Sequence, residues 1–96
     1  MPDPVVISSA GFLGDEVAVE ALCNVAGGSV ILLGKPKGIC PSCTDDLIRK
    51  DEKSVEETGP VRLVDPSPDA PYMVYRLGFR KGTLFWMTEA QVVRKR

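Results

Sequence analysis

Apolar residues fall in short clusters along this chain, and each cluster has its own spacing. Val5, Val6 and Ile7 form a β-branched run behind Pro2 and Pro4 and read as a short strand. Ser8 to Gly14 reads as a glycine-bearing turn. From Asp15 to Ala26, the residues Ala18, Ala21, Leu22 and Val25 recur at i, i+3, i+4 and i+7, which is one face of a helix. Asp15 and Glu16 favour the first turn of such a helix, and Gly27 and Gly28 end it. Val30 to Leu33 is a continuous apolar run bounded by glycines, the pattern of a strand buried on both faces.

The second half follows the same reading. A glycine-ended loop from Gly34 to Gly38 leads into Cys40-Pro41-Ser42-Cys43, which opens a helix from about Pro41 to Lys50 with Leu47 and Ile48 inward. Asp51 to Gly59 is charged and reads as a solvated loop. Val61 to Val64 is a strand, and Asp65 to Pro71 is a proline-rich turn. Tyr72 to Leu77 and Thr83 to Met87 read as hairpin strands around residues 78–82. Thr88-Glu89-Ala90-Gln91 has capping-box spacing and marks a short final helix. The resulting order is β-α-β-α-β-β-β, with an optional last α. It predicts one small α/β domain over residues 1–96, a mixed sheet with helices packed on it.

At 96 residues the chain supports a single thin core. No apolar run is long enough to span a bilayer and no signal peptide is visible, so a membrane role is not expected. Three cysteines give no even disulfide framework, which fits a cytoplasmic protein or one delivered by a non-classical secretion route. Charge changes the picture more. Residues 1–60 carry five Lys/Arg against ten Asp/Glu, whereas residues 61–96 carry seven against three. Five of the six aromatic residues lie in that basic part. Rings beside cations suit single-stranded nucleic acid, with Arg76, Arg80 and Lys81 near Phe79 as the candidate contacts. Rings filling a hairpin core explain the same composition.

Cys40 and Cys43 are the candidate chemistry. Two thiols three positions apart at a helix start suit metal binding or thiol redox chemistry. A structural zinc site needs four ligands, and Cys23 is the only other thiol. A Cys-Pro-Ser-Cys stretch after a strand also resembles the active site of thioredoxin and glutaredoxin folds, in which Cys40 would be the nucleophile, although no strand and helix lead to a later proline here.

A third likeness covers most of the chain. Gly14 to Leu22, the loop Lys35 to Cys43, and Val61 to Pro66 with the hairpin after it resemble the cytidine deaminase-like fold, nearest to bacterial polymorphic-toxin deaminases of nucleic-acid bases. The resemblance implies zinc held by Cys40, Cys43 and Asp15, with Glu16 as the proton carrier of a zinc-dependent base deaminase, a hydrolase. In that family a His or Cys opens the first helix and a Glu follows two positions later. This chain has no histidine, and no register supplies both groups. The resemblance therefore implies a degenerate or variant member that binds nucleotide, single-stranded nucleic acid or a partner protein with little or no catalysis. Two rivals stay open: a thiol–disulfide oxidoreductase-like module using Cys40 and Cys43, and an interaction domain that binds through an unpaired sheet edge.

Overall fold

The computed structural model describes residues 3–36 and 47–95. Among them are eight strands and no helix: β1 Val5–Leu13, β2 Glu16–Cys23, β3 Gly28–Pro36, β4 Ile48–Val55, β5 Gly59–Asp65, β6 Tyr72–Lys81, β7 Leu84–Met87 and β8 Gln91–Arg94. They form two antiparallel sheets. The first has the order β1-β2-β5, and the second β4-β3-β6-β7 with β8 also on β6. The expected α/β domain with a deaminase-like core is thus overturned by an all-β fold.

The correction centres on β2. Val17, Val19, Ala21 and Cys23 are buried, Glu16, Glu20 and Leu22 are exposed, and Ala18 is half-buried. The same stretch satisfies a helical spacing through Ala18, Ala21 and Leu22, because small residues fit either period. The alternation wins because β2 lies between β1 and β5 and hydrogen-bonds to both. A helix here would strip both neighbours of their ladders, and unpaired buried backbone is costly.

Turn chemistry supports this arrangement. Leu13 pairs with Glu16 and Lys81 with Leu84, so both hairpins close through two residues, Gly14-Asp15 and Gly82-Thr83. Gly14 and Gly82 have φ of 64° and 60°, and among the described residues only glycines have positive φ. A glycine first and an ordinary residue second is the type II′ loop, whose twist matches the strands.

Three further segments differ from expectation. Residues 48–50, expected at the end of the second helix, begin β4, and most of the charged stretch after them continues that strand to Val55. The other positions of that helix up to residue 46 lie outside the described residues. Thr88 starts no helix. It bridges the break between β7 and β8, its hydroxyl accepting the Leu77 N–H (2.9 Å) and donating to the Glu89 carbonyl (3.0 Å). The strands expected at 5–7, 30–33, 61–64 and 72–77 are present, several of them longer than expected, and the one expected at 83–87 begins at Leu84.

One core lies between the sheets. Met73, Tyr75, Leu77 and Phe79 of β6 face Val17, Val19 and Leu63 of the other sheet. Gly28 and Gly34 in β3 make room for the rings, since a Cβ at either would sit 2.6 Å from Phe79 or Tyr75. Aromatic side chains covering strand glycines in this way compensate for the side chain that glycine lacks.

Candidate functional site

Cys40 and Cys43 lie outside the described residues. Asp15 sits in the β1–β2 turn and accepts a bond from Lys95 Nζ at 2.9 Å. That bond and the lysine charge hold its carboxyl below the usual carboxylate range. Glu16 begins β2, exposed and on the outer side of its sheet, rather than opening a helix. Cys23 is buried, its thiol 3.1 Å from the Val25 carbonyl. Among the described residues no group of three or more Cys, Asp or Glu is placed to hold a metal.

The basic candidates divide by strand alternation. Arg76 and Arg80 lie on the outer face of β6, opposite the core-facing Tyr75, Leu77 and Phe79. Lys81 falls on the other side, where its stem lies 3.4 Å from the position a Gly27 Cβ would occupy. It does not share the arginine face.

That face is built by register. Arg49, Leu33 and Arg76 form one row across β4, β3 and β6. Ser54, Ser29, Arg80 and Phe85 form another across β4, β3, β6 and β7. Between the rows, Gly78 leaves space that the Phe85 ring fills. A Cβ at Gly78 would meet Phe85 at 3.0 Å and Leu33 at 3.7 Å. Phe85 nevertheless remains 52% exposed, unlike Tyr75 and Phe79, which are fully buried.

Polar contacts fix the cations of this face. Arg76 Nε donates to the Thr88 carbonyl at 2.8 Å. Arg49 and Arg80 each reach a different oxygen of Glu52, at 3.1 and 3.3 Å. Each guanidinium has five N–H donors, so two carboxylate oxygens cannot saturate both. The arrangement presents an exposed ring beside Arg80, which shares Glu52 with Arg49, and Arg76 anchored on the Thr88 carbonyl.

A second polar cluster is structural. Asp65 at the end of β5 is fully buried and accepts the Tyr75 hydroxyl at 2.6 Å and the Ser67 N–H at 3.1 Å. Lys50 Nζ lies 3.9 Å from Asp65 and 3.1 Å from Asp69. Burial, then the Asp65 carboxylate, pushes the Tyr75 hydroxyl well above its usual pKa. Asp51 of β4 accepts the Val64 N–H of β5 at 3.0 Å. Together these contacts join the two sheets along the β4–β5 border, and they leave no buried side-chain polar atom unpartnered among the described residues.

Sequence reasoning missed Phe85, Arg49 and Glu52. Placing the hairpin turn at Gly82-Thr83 rather than over residues 78–82 pairs Arg80 with Phe85 directly, so that signal was present. The part played by β4 was hidden by its charge. No family model matches the chain, and no curated protein or solved structure shows significant similarity to it. Among the described residues no helix is long and apolar enough to cross a membrane.

Proposed function

We propose that this domain binds single-stranded nucleic acid on the outer face of its β4-β3-β6-β7 sheet. One observation carries the reading: Phe85 is held on Gly78, half in solvent, with Arg80 as its cross-strand partner and Arg76 on the same face two residues before Gly78. An exposed ring supplies a stacking surface for any base, and flanking cations track the backbone. From β7 to β4 the face spans three interstrand steps, roughly 14 Å, so a short stretch of strand crosses it. The overall charge of −1 does not oppose this, because residues 61–96 carry seven Lys/Arg against three Asp/Glu, and Glu52 is shared by Arg49 and Arg80. The face holds a strand and does not turn it over, since guanidinium groups do not give up protons near neutral pH.

Fluorescence anisotropy with labelled oligo-dT and oligo-rU tests the reading. Phe85→Ala is expected to weaken binding by about 5- to 150-fold, from the 1–3 kcal/mol of a base–aromatic stack. Arg80→Ala is expected to lower the salt dependence by about 0.7 in the log–log slope, the value for one phosphate contact on a single strand. Absence of binding at low salt, or binding indifferent to both substitutions, refutes it.

A further inference from the structure

Sheet edges are open templates for pairing, and proteins blunt them with charge, proline, shortness or bulges. The outer edges of this fold follow that rule with one exception. β4 carries Arg49, Lys50, Asp51, Glu52 and Lys53; β5 carries Pro60 and Arg62; β7 and β8 have four residues each. β1 has nine residues and neither a charge nor a proline. Among the described residues it pairs only with β2.

The ladder fixes which groups face outward. Asn24 N–H donates to the Pro4 carbonyl, so Pro4 and Val6 bond toward β2 while Val5 and Ile7 point to the open edge. At the other end the hairpin pair Leu13–Glu16 bonds inward, so Phe12 and Ala10 point outward. The bulge between Ile7 and Ser9 switches this parity in the middle of the strand. An antiparallel copy of β1, related by a two-fold axis between Ser8 and Ser9, then sets Ile7 against Ala10 on both sides of the axis, so outward-bonding residues meet there. Val5 is fully buried, so the ladder is centred on residues 7–10 and does not extend to Val5 and Phe12. Without the bulge this register would pair outward groups with inward ones.

The surroundings are self-complementary as well. Grooves of about 640 and 540 Å³ separate the two halves of β1 from residues 86–95 of the other sheet, and Ser8 and Ser9 at the middle of the strand are exposed. Asp3 and Glu89 lie in the groove at the N-terminal half, and Arg94 lies beside the Lys95–Asp15 pair in the other. The two-fold brings the acidic end of one copy to the basic end of the next, twice. We infer that the chain forms a two-fold dimer by antiparallel pairing of β1 with β1 of a second copy, making one six-stranded sheet. The proposed nucleic-acid face belongs to the other sheet, so the two readings stand or fall separately.

Sedimentation velocity of the full chain, with protein concentration rising into the high-micromolar range, tests this. The expected result is a concentration-dependent shift from the 10.4 kDa monomer to twice that mass. Ala10→Pro removes an edge N–H that β2 does not use, which an edge strand tolerates. It is expected to weaken the dimer at least about tenfold while far-ultraviolet circular dichroism stays unchanged. Arg94→Glu is expected to weaken it as well, and adding Glu89→Arg to restore it. A monomer at every concentration, or a dimer indifferent to both Ala10→Pro and Arg94→Glu, overturns the inference.

Discussion

Removing one oxygen from Tyr75 tests how the two sheets are held together. Tyr75→Phe keeps the ring that covers Gly34 and deletes only the hydroxyl that reaches Asp65 at 2.6 Å. Asp65 is fully buried, so water does not simply replace the lost donor. The Ser67 N–H remains, and Lys50 at 3.9 Å is too distant for a good hydrogen bond. A hydrogen bond to a charged group contributes about 1.5–3 kcal/mol, and stranding its buried partner lies at the upper end of that range. The expected loss is therefore about 2–3 kcal/mol, a large share of the roughly 5–15 kcal/mol that stabilises a domain. In a chain of this length that lowers Tm by roughly 8–20 °C. Urea unfolding measures it directly: the midpoint falls while the m-value stays constant, because the surface exposed on unfolding hardly changes. A loss below about 0.5 kcal/mol would refute the reasoning and make the contact incidental.

The same hydroxyl sets a pH dependence. Its pKa is raised on folding, so the folded state keeps a proton that the unfolded chain releases near pH 10. The stabilisation is complete below that pH and declines as pH rises above it, by about 1.4 kcal/mol per unit for one group. Urea midpoints taken between pH 9 and 11.5 should show this fall, and Tyr75→Phe should flatten it; an equal slope in both proteins contradicts the assignment. Gly34→Ala places a Cβ 2.6 Å from the Tyr75 ring and is expected to cost about 1–3 kcal/mol through overpacking, read from the same urea midpoints. An unchanged midpoint would mean that the ring moves aside without cost.

The sequence shows the fold unevenly, for physical reasons. The strands at 30–33, 61–64 and 72–77 are legible because their apolar runs are short and bounded by glycine or proline. β2 is not, because Ala18, Ala21 and Leu22 satisfy a helical period as well as they fit the pleat. Val17 and Val19, both β-branched, argued for strand, and Gly14-Asp15 is a hairpin loop, but the alanines outweighed them. β4 was hidden by its protection: an edge strand blunted by five charges has the composition of a solvated loop. The break at Thr88 mimics a helix cap because a hydroxyl near unpaired backbone groups does the same chemistry in both settings.

The candidate site was partly legible. Arg76 and Arg80 belong together through their even spacing on one strand, and Lys81 does not, since a single step along a strand reverses the side. Phe79, the aromatic residue nearest them in sequence, is in the core, and Phe85 is the ring on their face. Asp15 and Glu16, expected on a helix, lie instead in a turn and at the start of a strand, while Cys40 and Cys43 lie outside the described residues.

Amide chemical-shift mapping during titration with oligo-dT tests the central claim most directly. The account predicts concerted shifts at Leu33, Arg76, Gly78, Arg80 and Phe85, with Glu20 and Leu22 on the opposite sheet unmoved. No shifts at saturating oligonucleotide, or shifts gathered on the β1-β2-β5 sheet, would contradict it.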